Sequence, residues 1–245
     1  MVRIKRSDWA GGMAIEPQGL PQGVKATFGP IDKSTDTIAM VFEAAPDAPL
    51  AATRFGFKFA PQDPAAPAFQ SGVEHKVDVA ENGNQRAFYT VIEDALSAAT
   101  AEELPVSIEL VQPKVPLMRN GQMQLKVKVN RKEGFDKPFD LNFIYAPNGI
   151  GTAGVQKVEE KATEGAVTIS ANGNAVLQKW KVCVVGNADF GKGNTFFSTQ
   201  LIDLEVVEPV IEGTLDRAAL EQSGETEIKA KLDIKTPFEG KAKLQ

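Results

Sequence analysis

The chain repeats itself at domain length. Leu20–Val24 (LPQGV) returns as Ala146–Ile150 (APNGI), 126 positions later. Phe42–Leu50 (FEAAPDAPL) returns as Ile169–Leu177 (ISANGNAVL), 127 later. Val106–Pro113 (VSIELVQP) is matched with Ile202–Pro209 (IDLEVVEP), 96 later, and Leu117–Leu141 with Leu220–Leu244, 103 later. Self-similarity on this scale marks an array of like units, and it governs how every shorter motif is read. It divides the chain into a first unit over 1–113, a second over 114–210, and the opening strands of a third over 211–245. Val2–Arg6 (VRIKR) aligns with Val127–Arg131 (VKVNR), the middle of a strand. The chain is therefore expected to start inside a unit and to be an internal piece of a longer protein.

Within a unit the side chains alternate with period two, the pattern of a half-buried strand. Met123, Leu125, Val127 and Val129 alternate with Gln124, Lys126, Lys128 and Asn130; Phe139, Leu141, Phe143 and Tyr145 follow suit. So do Trp180, Val182 and Val184, then Ile202, Leu204 and Val206. Turn signals separate them at Asn120-Gly121, Pro147-Asn148-Gly149, Asn172-Gly173-Asn174 and Gly191-Lys192-Gly193-Asn194. Short alternating strands at this spacing predict an all-β chain of antiparallel sandwiches, with Trp180 as the centre of the second core. In the first unit Trp9 aligns with Phe135, Met13 and Ile15 with Phe139 and Leu141, and Phe55, Phe57 and Phe59 repeat the alternation of Trp180, Val182 and Val184. The first unit also carries an insert at about 61–105. Its expected content is a Pro/Ala linker, a hairpin of His75–Val79 and Ala87–Ile92 around Asn82-Gly83-Asn84, and a short helix over Glu93–Glu103 (EDALSAATAEE).

The motifs that suggest chemistry fail on context. Gly149-Ile150-Gly151-Thr152-Ala153-Gly154 spells G-x-G-x-x-G, but a dinucleotide site needs a helix next, and VQKVEEKATEGAVTIS has no long apolar stripe. Gly186-Asn187-Ala188-Asp189-Phe190-Gly191-Lys192-Gly193 nearly spells a phosphate loop, yet Gly193 stands where a Ser or Thr should hold magnesium, and the following residues read as a strand. The single histidine, His75, removes most histidine-based metal and triad chemistry, and it reads as an exposed hairpin residue. Cys183 has no second thiol and no sequence-local cation to activate it; its phase, opposite to Trp180 and Val182, puts it on the outer sheet face. The aspartates fall at turns and none has the spacing of a calcium loop, which leaves only calcium held between successive units as an open alternative. No catalytic, metal or cofactor-binding residue is expected. A net charge of −5 gives no field for nucleic acid, and no run approaches the roughly 18 apolar residues of a membrane-spanning helix.

Two residues are candidates for surface contact. Phe88 and Tyr89 are adjacent on a predicted strand of the insert, so one of them faces away from whatever covers the hairpin. The terminal strands, 218–245, are a second candidate, because a lone strand pair is marginal in water and can add to an exposed sheet edge in the same or another chain.

GFDKPFDLNFIYAPNGIG, VTISANGNAVLQKWKVCVVGNA and STQLIDLEVVEP resemble the immunoglobulin-like repeats of large secreted planctomycete-type proteins, whose modules often accompany bacterial pre-peptidase C-terminal domains. GLPQGV with VFEAAPDAPL is similar to the same repeat, and AFYTVIEDAL with PVSIELVQPKVPLMRNG to the segment between repeats. The resemblance implies tandem immunoglobulin-like sandwiches, export to the cell envelope or beyond, and no catalytic residues. A non-enzymatic spacing or adhesive role follows, with neighbouring domains of the parent chain as partners. The alternative is a module that binds envelope polysaccharide or protein through the insert.

Overall fold

The computed structural model is all-β, with 22 strands and no helix among the described residues. It describes the chain except for residues 7, 8, 10, 34, 82–86, 192, 220, 221, 236 and 238–245, together with the side chains of 81, 87 and 88. The expected Asn82-Gly83-Asn84 turn, Lys192, the side chain of Phe88 and the end of the third repeat lie outside that description.

The first unit holds β1 (Val2–Arg3), β2 (Met13–Gln18), β3 (Val24–Phe28), β4 (Thr37–Ile38), β5 (Met40–Ala44), β6 (Ala52–Pro61), β7 (His75–Glu81), β8 (Ala87–Glu93) and β9 (Leu96–Ala99). They pair antiparallel as β1-β4, β3-β5, β2-β6-β9 and the separate hairpin β7-β8. Phe55 is buried at the middle of β6, and an aromatic row runs Phe42–Phe55–Phe57–Phe59 with ring centroids 5.5, 5.5 and 6.2 Å apart.

The second unit is larger in core. Its strands are β10 (Val106–Leu110), β11 (Leu117–Met118), β12 (Gln122–Arg131), β13 (Phe139–Asn142), β14 (Ile150–Thr152), β15 (Gln156–Val158), β16 (Glu164–Ala171), β17 (Lys179–Val182), β18 (Val185–Asp189), β19 (Asn194–Ser198) and β20 (Ile202–Val207). One sheet has the order β10-β12-β16-β14. Facing it are β15-β13-β18-β19 and β11-β20-β17, where β11 joins β20 in parallel. Inward side chains from both sides, among them Val127, Val167, Leu141, Val182 and Leu204, fuse into one core. The alternation read from the sequence is what builds it, since β10 and β20 bury every second residue. Between β19 and β20, and between β17 and β18, the ladder breaks. Thr199, fully buried, repairs the break: its hydroxyl accepts from Val184 N–H at 3.1 Å and donates to the Gln200 carbonyl at 2.9 Å. A buried hydroxyl left without such partners would be costly.

β21 (Ile211–Leu215) and β22 (Ala230–Ile234) form a two-stranded hairpin at the C-terminal end.

The two units share strand register, not only sequence. With shifts of 125 to 127, Val2↔Ile38 corresponds to Val127↔Gly165, Ala14↔Ala60 to Asp140↔Asn187 and Val24↔Ala44 to Ile150↔Ala171; Phe55↔Leu96 corresponds to Val182↔Ile202 with shifts of 127 and 106, the insert of the first unit lying between the two partners. The last pair corrects two expectations. Leu96–Ala99 is a strand on β6, so the helix expected over Glu93–Glu103 is absent. The free edge of β6 offers ladder bonds that outweigh the helix preference of an Ala-rich run, and Leu96 and Ala98 turn toward the half-buried face. Consequently Leu96–Ala99, and not Val106–Leu110, is the counterpart of the strand at Ile202–Val207.

Val106–Leu110 belongs to the second unit, which moves the expected boundary at 113/114 upstream. It pairs with β12 from Val106↔Arg131 to Leu110↔Val127, and Val106, Ile108 and Leu110 enter the second core. Two side-chain amides tie this segment to the opposite sheet. Gln200 accepts from Leu110 N–H at 3.1 Å and donates to its carbonyl at 2.8 Å; Gln112 does the same for Asp203 at 3.1 and 2.7 Å.

Trp180 is not the centre expected of it. It is half-buried at the rim of the core, its indole N–H donating to the Val176 carbonyl at 3.4 Å, while Leu204, Val182, Leu141, Val167 and Ile169 are fully buried. Trp180→Ala should therefore lower unfolding free energy by about 1–2 kcal/mol in denaturant titration, below the roughly 3–5 kcal/mol of a buried aromatic.

Candidate functional site

The glycine motifs resolve as turns. Gly149 (φ +83°) and Gly154 (φ +82°) take left-handed backbone conformations, and Gly149 lies where a Cβ would sit 2.3 Å from the Ala175 Cα. The loop leads into β15, not a helix. Gly191 and Gly193 (φ +91° and +107°) connect β18 to β19, whose pairing closes at Asp189↔Asn194. Backbone curvature and close packing account for these glycines without a phosphate.

Carboxylates are spread as exposed ion pairs, such as Lys25–Glu43 at 2.9 Å and Lys181–Asp203 at 3.0 Å. Among the described residues no group of three His, Cys, Asp or Glu could hold a metal, and no helix is long and apolar enough to cross a membrane. His75 stands exposed at the start of β7.

Two surfaces remain. The first is the insert hairpin. Val77 pairs with Val91 and Ala80 with Tyr89, with register shifts on either side of Ala80. Val79 and Tyr89 are 61% and 62% exposed, and Ile92 projects from the opposite side. Phe88 lies on β8, beside Tyr89.

The second surface is the junction between units, whose residues the sequence did not single out. Ala39 and Val41 of the first unit pack against Cys183, Tyr145 and Leu201 of the second. Cys183 lies in the break between β17 and β18 instead of on a strand, packed against Ala39 and Val41, so the thiol is buried. Beside this seam lies a cleft of about 490 Å³ lined by Arg3, Asp36, Tyr145, Asn148, Gln178 and Trp180, among others. Burial, and secondarily the Asp36 carboxylate, push the Tyr145 phenol upward, so it stays a neutral hydroxyl. The cleft offers hydrogen-bonding groups and two aromatic rings, with no paired acid and base poised for proton transfer.

Burial also raises the Cys183 thiol above its ordinary value of 9.0. The native thiol should resist a disulfide reagent at neutral pH and react once the units separate. Because the folded form holds the proton more tightly, the group leaves stability unchanged below about pH 9 and erodes it as pH climbs toward the folded value. Cys183→Ser should remove that alkaline component of the stability profile.

No family model matches the chain, and no curated protein matches it. Among solved structures, a protein of unknown function from Porphyromonas gingivalis W83 aligns with a TM-score of 0.29 and 11% identity, over 45% of this chain and 56% of that one. The chain thus spans little more than half of that protein's length.

Proposed function

We propose that this chain is a non-catalytic run of immunoglobulin-like repeats that spaces or presents other domains of a larger exported or cell-surface protein. Support comes from the strand order: β10-β12-β16-β14 faced by β15-β13-β18-β19, with β20 and a parallel β11, is the order to be expected if the second unit is an immunoglobulin-type sandwich. The observation that carries the reading is the recurrence of one register in successive units across a buried junction. Repeated units in series suit spacing, and an extracellular or envelope location is what the resemblance to planctomycete-type repeats implies. Pulling on single molecules tests it. The second unit should give a discrete rupture that releases about 30 nm of chain, as roughly 100 residues at 3.4 Å require. Gradual extension without such an event would contradict a spacer built of closed units.

The second reading is a binding module for envelope polysaccharide or protein acting through the insert hairpin, favoured by the exposed Val79 and Tyr89. Glycan-array or pull-down binding that is lost in F88A/Y89A would favour it over the spacer.

A further inference from the structure

The insert leaves part of one strand edge bare in the middle of the first unit. β6 is the counterpart of β17 and β18 together, Phe55 standing for Val182 and Ala60 for Asn187. In the second unit one edge of that line is covered twice, by β20 along β17 and by β19 along β18. In the first unit β9 covers Ala52–Phe55, and among the described residues no strand covers the same edge of β6 from Gly56 onward. Two bonds fix which groups face that edge. Gln62 N–H donates to the Gly12 carbonyl at 3.0 Å, and Thr100 N–H to the Ala51 carbonyl at 2.9 Å. Antiparallel bonding alternates along a strand, so even-numbered residues of β6 bond toward β2 and odd-numbered ones toward β9. The backbone groups of Phe57 and Phe59 therefore point to the bare edge. The strand next to it in the chain is β8, joined to β9 by Asp94 and Ala95. β8 pairs instead with β7, in a hairpin that pairs with no other strand among the described residues and whose register slips between Asp78 and Ala80. A hairpin alone is marginal in water, and this one leaves Ile92 60% exposed.

We infer that the insert has a second position, in which β8 swings about Asp94–Ala95 and extends the β9 ladder along the bare edge of β6. Continuity names the occupant: the ladder that runs from Ala52↔Ala99 to Phe55↔Leu96 has only to go on. Phe57 then meets Asp94, Lys58 meets Glu93, Phe59 meets Ile92 and Ala60 meets Val91, and the ladder ends at Pro61, which has no N–H to donate. Ile92 comes onto the half-buried aromatic row at Phe59. Glu93 exchanges Arg54, 3.2 Å away in the hairpin position, for Lys58. Asp94 opposes the move. In the hairpin position its side chain is 93% exposed and lies 3.5 Å from Arg54. Continuing the alternation of Leu96 turns that carboxylate onto the apolar face against Phe57, and an inward-pointing charge keeps a strand from adding to an edge. Asp94 thus sets the balance between a bare edge and a capped one. The device stands on strand pairing and holds whether the chain is a spacer or a binding module.

In the full chain, K58C/E93C should form an intrachain disulfide on mild oxidation, because facing residues between bonded pairs bring their Cβ atoms within about 4.5–5.5 Å. K58C/I92C, whose side chains leave opposite faces of the extended sheet, should not link. The native Cys183 is buried and contributes no background. Adding Asp94→Val to K58C/E93C should raise the linking rate about tenfold by removing the inward charge and supplying a strand former. Hydrogen exchange reads closure without any cross-link. In the chain without added cysteines, Asp94→Val should slow exchange at the Phe57 and Phe59 amides and leave Lys58, already bonded toward β2, unchanged. Four results would each overturn the second position: no link in K58C/E93C, equal linking in K58C/I92C, links between chains in place of links within one, or a linking rate and Phe57 and Phe59 exchange untouched by Asp94→Val.

Discussion

Leu204→Ala should lower the unfolding free energy of the second unit by about 3–4 kcal/mol, which for a unit near 100 residues shifts its melting point by about 15–25 °C. Leu204 is fully buried on β20, paired with Trp180 and sharing one core with Val127, Val167 and Leu141. Truncation removes three carbons' worth of transfer free energy, and the surrounding strands, held by ladder bonds on both sides, cannot collapse to fill the space. Two comparisons isolate this cause. Leu204→Met, close in volume, should cost less than about 1.5 kcal/mol. Glu205→Ala, one residue on and exposed on the other face, should change stability by no more than about 0.5 kcal/mol. Scanning calorimetry separates the three.

Gly149→Val should be at least as damaging, at about 3–5 kcal/mol, although the residue lies in a surface turn. Two effects add. A φ of +83° is disfavoured for any L side chain and most of all for a β-branched one. A Cβ there would also meet the backbone of Ala175, with Cα at 2.3 Å and N at 2.6 Å, and backbone cannot swing aside as a side-chain tip can. The turn is further fixed by Asn172 N–H donating to the Gly149 carbonyl at 2.9 Å. Gly154, also at positive φ but with open space around it, should tolerate Ala at a lower cost. A phosphate-binding loop would behave differently, losing affinity for a nucleotide while keeping its stability. Thermal melts of G149V and G154A, with and without nucleotide, decide between the two.

What the sequence displayed was the periodicity of strands whose alternate residues are strongly apolar. β12 and β20 were readable for that reason, and so was the absence of a helix after Gly149. Periodicity gives a face but not a place along it, which is why Trp180, in phase with Val182, was read as central although it sits at the rim. Leu96–Ala99 was hidden because alanine-rich chain carries little strand signal of its own; it becomes a strand through the edge of β6. Val106–Leu110 and Ile202–Val207 look alike because both bury alternate residues in the same core, and that likeness was mistaken for equivalence between units. The junction was hidden for a related reason. Nothing local to Cys183 announces that Ala39 and Val41, far away in the chain, cover it. The exposure of Tyr89 was legible because two adjacent residues on a strand cannot share a face.

The account's central claim is that the second unit begins with Val106–Leu110 and the first closes on Leu96–Ala99. Equilibrium unfolding of residues 105–209 against residues 114–210 tests it most directly. The longer fragment should unfold in one cooperative transition. The shorter, stripped of three core side chains and the Gln200 tether, should lose that transition or melt far lower. Equal stability of the two fragments would contradict the claim.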